Sequence, residues 1–413
     1  MKNKFIIMSM LFLTCSSSFA QKEDLKALEK AIKRNNIEEA TMLITKIAPL
    51  IEKADEVEKA SFLYHKALNE LNLSKNNIEP TKNKENAIES INKLLALETE
   101  TKSKKYTTEI LPVKNELLAN IVNEAIQNNK ANKLQQSSRL FNQAYQLSKT
   151  DTVYLFYAAS DAVNAKDFDF AESKYKELVK LKYEGRMNTY VATSQISGNV
   201  ESFGIDKKAR DLAVKHGSHT KPETVVTNSV KPEIYNNLSQ ILINKENYSE
   251  GEQYALKAYE IDSNNVNSLM NVLYLYYNTN RLYKYLEYAK KGLDKFPKNE
   301  TLLYNLGVIE FGNGNNDGAT TYFNQILEIN PKNFEALKGL GNIALQKDAD
   351  ITTKINNLPN TNSANKQRTA LMNDKKKTYQ EALNFYSKAK EVNSKDDGLN
   401  DLIYQIEDFL NKN

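Results

Sequence analysis

The chain has 413 residues, of which 40% are hydrophobic and 26% are charged, and it contains only 13 glycines and 8 prolines. So few helix breakers in a long polar chain favour helices over a strand-rich fold. The 56 basic and 52 acidic side chains nearly cancel. The lysines are interspersed with Asp and Glu, which argues against the concentrated basic face that nucleic acid requires.

The first twenty residues have the pattern of a signal peptide. Lys2 and Lys4 precede the apolar stretch Phe5–Leu13, and a small-x-small cleavage site ends at Ala20. This stretch is too short to cross a bilayer, and no later run reaches about 18 apolar residues. We therefore expect an exported protein, periplasmic or secreted, with no transmembrane segment once residues 1–20 are removed.

The only cysteine, Cys15, lies inside this segment. Lipidation of Cys15 would anchor the mature protein to a membrane, but Phe12 and Thr14 depart from the usual lipobox. Cleavage after Ala20 leaves no cysteine, which excludes disulfides, thiol chemistry and thiolate metal sites. The lipoprotein stays an alternative to the periplasmic protein.

Residues 21–117 are predicted to form divergent helical repeats. The segment around Ala40 has the pattern of a second helix, and residues 56–101 form another pair with a loop around Pro80. Two further helix pairs follow in residues 118–185.

The helical pattern breaks in residues 186–231. Short β-favouring runs flank Gly198 and its polar neighbours, which predicts a β-hairpin. Asp206 then predicts the N-cap of a short helix that ends at Gly217.

Residues 232–333 divide into three consecutive units of 34 residues, 232–265, 266–299 and 300–333, whose joints have the sequences EIDSNN, DKFPKN and EINPKN. A period of 34 in a helical sequence is typical of a two-helix solenoid repeat. Residues 334–396 predict one more unit, whose helices are separated by an insertion at about 350–377. Residues 397–413 predict a capping helix.

These units resemble the tetratricopeptide repeat (TPR) family. The unit 300–333 has the family's residue types in register at Leu303, Leu306, Gly307, Ala319, Phe323 and Pro331. Small side chains are needed where the two helices of a unit approach closest. The middle unit departs with Tyr285 where Ala is usual and Ala289 where an aromatic is usual; we expect the small residue to compensate for the large one.

The resemblance implies an all-α fold, a right-handed α-solenoid of about seven or eight antiparallel helix pairs with a small β-hairpin insert. The insert is also similar to a tract in exported repeat proteins of Gram-negative, Bacteroidetes-like bacteria. The shared positions are Thr193, Gly198, Arg210, Asp211, His219 and Thr220.

Enzyme motifs are missing. The glycines Gly312 and Gly314 lack the Gly-Lys-Ser/Thr of a phosphate loop, so we expect a turn there. His216 and His219 have too few further ligands nearby for a structural zinc site, and His65 is expected on a helix, half-buried. We predict no enzymatic activity, no metal and no cofactor.

In the TPR family the first helices line a concave groove. The predicted partner-binding residues are Asn236, Gln240, Asn244, Asn267, Met270, Tyr274, Tyr277, Asn278, Tyr304 and Phe311, and the remaining groove positions hold Glu233, Ile243, Thr301, Val308 and Gly312. Amides pair with peptide backbone, and tyrosines supply large contact area. The alternative is that some of these tyrosines pack against a neighbouring unit.

The carboxylate clamp by which some TPR proteins bind a chaperone is not predicted, because only Lys338 and Asn342 match it. We therefore expect an exported, non-enzymatic scaffold that binds a protein or peptide in the cell envelope, and no nucleic acid. Two alternatives stay open. One is a carbohydrate- or peptidoglycan-contacting module, and the other is an accessory of an envelope enzyme or assembly machine with its site in residues 186–231.

Overall fold

The computed structural model describes residues 22–412. The predicted signal peptide, with Cys15 and the cleavage site, lies outside the described residues. Along the described chain helices follow one another in eight pairs, interrupted by a small antiparallel sheet. The predicted all-α fold of tandem helix pairs with a β insert is confirmed. None of the helices in 22–412 is long and apolar enough to cross a membrane.

Among the described residues the chain divides into two compact units, one that ends at Ile241 and one that begins at Leu242. The helices of the first unit are α1 (helical over 22–33), α2 (Ile37–Ile47), α3 (Glu56–Lys75), α4 (Pro80–Glu100), α5 (Thr107–Lys130), α6 (Leu134–Leu147), α7 (Val153–Asn164) and α8 (Phe168–Lys180), with a short 3-10 turn at Ile51–Lys53. Fully buried alanines, among them Ala67, Ala125 and Ala144, lie in its core.

Two details of this unit differ from the sequence expectation. Pro80 is the first residue of α4 and not part of a loop. Proline is tolerated there because the N–H that it lacks would have no partner within the helix. The boundary predicted between residues 117 and 118 falls inside α5, which begins at Thr107.

The insert contains β1 (Asn188–Ser194), β2 (Val200–Ser202), α9 (Lys207–Lys215) and β3 (His219–Val226). The strands β1 and β2 form the predicted hairpin, and the Asp206 side chain caps α9 by accepting from the Ala209 N–H. The third strand was not predicted. It pairs antiparallel with β1, giving the order β2-β1-β3, with an irregularity between Val191 and Thr193. Pro222 lies inside β3, where a proline is compatible with the edge position of the strand.

Helix α10 (Lys231–Asn244) crosses the boundary between the two units. The second unit then contains α11 (Tyr248–Ile261), α12 (Val266–Asn278), α13 (Leu282–Lys295), α14 (Glu300–Gly312), α15 (Asn316–Ile329), α16 (Phe334–Asn356), α17 (Asn362–Val392) and α18 (Asp397–Lys412). The insertion predicted at about 350–377 does not separate the helices of its pair as a loop. It prolongs α16 and α17, which pack against each other and are joined by a short turn.

Six of the helix pairs share one kind of turn. Three residues separate the two helices, and the middle residue has a positive φ between 52° and 79°. These middle residues are Asn35, Asn132, Lys166, Glu246, Asn280 and Gly314. In the last of these turns the Asn315 N–H donates to the Glu310 carbonyl at 2.8 Å, and this hydrogen bond lies at the C-terminal end of α14. Gly314 is therefore a turn glycine, as predicted.

Small residues within the second unit make room for aromatic rings. A Cβ atom on Gly307 would lie 2.7 Å from Cε1 of Phe323, and one on Gly341 would lie 2.3 Å from Cε1 of Tyr386. Both rings are buried and come from the second helix of their pair. The size pattern that the sequence shows is thus a steric requirement.

The middle unit reverses this size pattern. Large side chains are buried at Leu273 on the first helix and at Tyr285 on the second, and the second helix also has the small buried residues Ala289 and Gly292. A Cβ on Gly292 would lie 2.4 Å from Cδ2 of Leu269. The small residue at Gly292 therefore makes room for a large side chain of the first helix. That Ala289 compensates for Tyr285 stays a prediction.

Candidate functional site

Tyr274 and Tyr277, both on α12, are the most exposed aromatic side chains among the predicted groove residues. Their relative exposures are 42% and 70%. The Tyr274 hydroxyl donates to Oδ1 of Asn244 at 3.3 Å, and Nδ2 of Asn278 donates to the Tyr274 carbonyl at 2.7 Å. Asn267 is exposed on the same helix. These contacts orient the Tyr274 ring while much of its surface stays in solvent.

Tyr304 belongs to the next first helix, α14. Its side chain is half-buried, with its ring 6.1 Å from that of Phe323, and its hydroxyl donates to Oε2 of Glu335 on α16 at 3.4 Å. Burial and the Glu335 carboxylate raise the pKa of Tyr304. Tyr274 and Tyr304 each reach a neighbouring first helix. We call Asn244, Asn267, Tyr274, Tyr277, Asn278 and Tyr304 the tyrosine surface.

Other predicted groove residues take part in packing. Met270 and Phe311 are half-buried and pack against the hydrophobic clusters of the second unit. Ile243 is 3% exposed, so its expected position in the groove is wrong. Isoleucine is apolar enough to be drawn into the core at a place where the pattern predicted an open surface. Asn236 and Gln240 belong to the first unit and are half-buried.

Lys338 and Asn342, the two residues that match the carboxylate clamp, are engaged within the second unit. The Lys338 ammonium lies 3.0 Å from Oδ2 of Asp396 and over the ring of Phe334. Oδ1 of Asn342 accepts from the Tyr386 hydroxyl at 2.8 Å. Both side chains already have internal partners, which argues further against a clamp.

Arg210 organises the insert. Its side chain is 5% exposed, and Nη1 donates to the Glu223 carbonyl on β3 at 2.9 Å. Nε donates to Oδ1 of Asp211 at 2.6 Å, and the guanidinium lies over the ring of Tyr190 on β1. The Arg-Asp pair of the sequence tract therefore joins α9 to both long strands.

The insert also has a titratable pair, which the enzyme-accessory alternative requires. Nε2 of His219 lies 3.1 Å from Oε2 of Glu201, and the bonds from His219, Ser194 and Ser197 hold the pKa of Glu201 below its usual value. Oγ of Ser218 lies 3.0 Å from Nδ1 of His219.

This pair lacks an activated nucleophile. Oγ of Ser218 also lies 3.0 Å from the Ala213 carbonyl, which can only accept and so takes the hydroxyl hydrogen. In this arrangement the Ser218 hydroxyl does not donate to Nδ1 of His219, as the hydroxyl of an activated serine would. The arrangement is suited to holding the hairpin against β3.

The histidine outside the insert, His65, is buried. His65 on α3 is 5% exposed, more buried than predicted, and its Nδ1 lies 2.8 Å from the Ser61 carbonyl. Burial lowers its pKa. Within residues 22–412 no group of three or more His, Cys, Asp and Glu side chains is arranged to hold a metal ion.

Two features of the first unit were not found from the sequence. Between α4 and α6 lies a cleft of about 500 Å³ lined by polar side chains that include Glu85, Asn92 and Gln146. The ring of Phe156 on α7 lies 6.1 Å from that of Tyr157 on the same helix and 6.2 Å from that of Tyr183, which follows α8. The run VYLFY in α7 was the available signal for the second feature.

The architecture is that of a helical repeat protein, an α-solenoid. The tetratricopeptide repeat family matches residues 232–265 and 301–333. The chain therefore contains tetratricopeptide repeats. The first match has the same bounds as the predicted first unit, and the second begins one residue inside the predicted third unit. The middle unit, with its reversed size pattern, lies outside these matches.

Several solved structures are similar to this chain. YrrB, described as a TPR protein with an unusual peptide-binding site, is 14% identical, and the match covers 56% of this chain and 96% of YrrB with a TM-score of 0.37. A tetratricopeptide repeat protein from Parabacteroides merdae is 12% identical, with coverages of 83% and 99% and a TM-score of 0.33.

The C-terminal part of a TPR repeat-containing protein from Cytophaga hutchinsonii is 12% identical, with coverages of 68% of this chain and 98% of that chain and a TM-score of 0.40. No curated protein matches the sequence significantly.

Proposed function

We propose that the protein is an exported, non-enzymatic TPR scaffold that binds a protein or peptide partner in the cell envelope through its tyrosine surface. The observation that carries this proposal is the exposure of Tyr274 and Tyr277, 42% and 70%, on the first helix of a repeat. Large aromatic side chains are usually drawn into the core of a soluble repeat. Two on one open face are suited to contact with a partner.

The chemistry of the surface favours a peptide. Asn267 and Asn278 are exposed amides beside the two rings, and an amide can pair with both the N–H and the C=O of an extended backbone. Among its tyrosines, Tyr304 donates to one carboxylate, that of Glu335. Tyrosine gives a large contact area at low entropic cost, so such a surface binds an uncharged stretch of chain without needing a salt bridge.

The test is a double substitution, Tyr274→Ser with Tyr277→Ser, in the full chain. Chemical crosslinking of the protein in its own envelope, followed by purification, identifies the captured partners. We expect capture to fall about tenfold or more, as for loss of two hot-spot aromatics, while the helix content stays unchanged in circular dichroism.

The matched control is Tyr283→Ser with Tyr404→Ser, which removes two tyrosines that are 82% and 71% exposed outside the tyrosine surface. This variant should capture partners as the natural protein does. Equal capture by both double variants would refute the assignment. The natural protein is also tested on a glycan array. If it binds there and the binding is lost in Tyr274→Ser with Tyr277→Ser, the ligand of the tyrosine surface is a carbohydrate and not a peptide.

A further inference from the structure

The hairpin of α16 and α17 extends beyond the repeat to which it belongs. These helices have 23 and 31 residues, whereas α14 and α15 of the preceding pair have 13 and 14. Ten additional residues in a helix correspond to about 15 Å of length. The repeat architecture does not require this extension, which makes the extension a candidate for a separate function.

The base of the extension is held firmly. Lys375 on α17 lies 2.8 Å from Oδ1 of Asp348 on α16, and the Tyr379 hydroxyl donates to Oδ2 of the same carboxylate at 3.1 Å. The ring of Tyr379 packs at 4.5 Å on that of Phe409 in α18. A partly buried ion pair with both carboxylate oxygens in use fixes the two helices relative to each other.

The tip is a built turn. Nη2 of Arg368 donates to the Leu358 carbonyl at 3.3 Å, and its Nη1 donates to Oδ1 of Asn365 at 2.8 Å. The Thr361 hydroxyl caps α17 by accepting from the Ala364 N–H, and Ala364 is 3% exposed. The two helix ends therefore meet in a defined geometry.

This turn borders one side of an apolar, largely open surface cavity of about 510 Å³. Its lining residues are Lys354, Asn357, Leu358, Gln367, Ala370 and Leu371. Leu358 and Leu371 are half-buried and supply its apolar surface, on which one or two large apolar side chains can rest.

The tip has only positive charge. Residues 351–373 include Lys354, Lys366 and Arg368 and contain no Asp or Glu. Lys354 and Lys366 are exposed, and neither makes an ion pair within the described residues. Over 345–377, seven Lys and Arg face three Asp, a net charge of +4 that equals that of the whole chain.

We propose that this tip is a second docking site, which receives an acidic segment of a partner protein with an apolar side chain in the cavity. The unpaired lysines beside the cavity are complementary to carboxylates that flank such a side chain. A membrane surface fits less well, because an anionic bilayer calls for exposed apolar side chains, whereas Leu358 and Leu371 are half-buried. The site does not depend on the tyrosine surface.

The experiment measures binding of fluorescein-labelled peptides to the full chain by fluorescence anisotropy. The probe is Asp-Glu-Glu-Leu-Phe-Glu-Asp-Asp, and two companions replace Leu-Phe with Ser-Ser or every acid with Lys. We expect the first peptide to bind with an affinity that falls as the salt concentration rises. Both companion peptides should bind with an affinity at least about tenfold lower.

Two variants separate charge from cavity. Lys354→Glu with Lys366→Glu should weaken the acidic peptide about tenfold, and Ala370→Phe, which fills the cavity from an exposed position, should remove the preference for Leu-Phe over Ser-Ser. The control Lys298→Glu with Lys332→Glu makes the same charge change at two exposed lysines elsewhere in the second unit and should leave binding unchanged.

Three results would overturn the proposal. One is absence of binding by the acidic peptide, and another is equal weakening by the tip and control variants. The third is binding to phosphatidylglycerol vesicles that the tip variant loses, with no peptide binding, because that result assigns the tip to a membrane surface. None of them concerns capture through Tyr274 and Tyr277, so this site and the proposed function can fail separately.

Discussion

The ring of Phe323 lies between two glycines of successive first helices. A Cβ on Gly307 would lie 2.7 Å from its Cε1 atom, and a Cβ on Gly339 would lie 2.6 Å from Cε2. Because both edges of the ring are confined, neither glycine can gain a methyl group unless the helices shift. One aromatic side chain thus sets the distance between three helices of the second unit.

His65 makes the stability of the first unit depend on pH. Burial lowers its pKa, although Glu29 and Glu109 act in the opposite direction. The folded state therefore holds His65 neutral, while the unfolded chain protonates it as the pH falls below about 6.5. Its contribution to stability is complete above that pH and is lost as the pH falls toward the lowered folded pKa.

We predict that His65→Phe reduces the loss of unfolding free energy between pH 7.5 and pH 5.5. Phenylalanine keeps the ring contacts with Tyr64 and Tyr106 but cannot be protonated. Urea unfolding at the two pH values measures the difference. His216→Gln, at an exposed histidine, is the control and should keep the natural pH dependence. An unchanged pH dependence in His65→Phe would contradict the argument.

At the scale of single elements, the insert depends on one buried cation. Arg210 contacts β3 through the Glu223 carbonyl and β1 through the Tyr190 ring. We predict that Arg210→Ala destabilises the sheet locally by about 2 kcal/mol, the size of a hydrogen bond to a charged group. Hydrogen exchange at the β3 amides should then become faster.

The control for this prediction is Lys208→Ala, because Lys208 is exposed on the same helix. Its exchange at β3 should equal that of the natural protein. If Arg210→Ala also leaves the β3 amides fully protected, the sheet is stable without the guanidinium and the assigned role is wrong.

The elements that the sequence predicted are those with local signals. Asp206 and Gly314 act through backbone groups a few residues away, so their roles could be predicted from the local sequence alone. Strand β3 could not be predicted because its pairing with β1 is non-local and Pro222 weakens its own β pattern. The sequence predicts an insertion where α16 and α17 are prolonged, because the repeat period ends there and residues such as Thr352 and Asn356 are weak helix formers.

The site was predictable only in part, for a related reason. The register of the repeat predicted which residues lie on the first helices, and Tyr274 and Tyr277 are exposed there. Register does not say how deeply a face is covered by its neighbours. That depth separates Ile243, which is buried, from Tyr277, which is 70% exposed at the same position of the next unit. Exposure depends on tertiary packing, and a single sequence does not contain it.

At the scale of the whole molecule, a repeat protein is stabilised by contacts between neighbours in the sequence. The principal contacts of each helix in the second unit are with the helix before or after it. Damage to one pair should therefore spread to adjacent pairs and decay along the chain, and unfolding need not be two-state. Because the described chain divides between Ile241 and Leu242, the effect of damage in one unit can be compared with its effect in the other.

We predict that Ala319→Arg destabilises the second unit while leaving the first unit protected. Ala319 is fully buried beside Phe323 and Ile326, so a long charged side chain there should cost about 3 kcal/mol or more through overpacking and burial of charge. Hydrogen exchange followed by peptide mass spectrometry measures protection in both units. Gln325→Arg, at an exposed position of the same helix, should change neither. Equal loss of protection in both units after Ala319→Arg would show global cooperativity, whereas unchanged protection everywhere would contradict the repeat register itself.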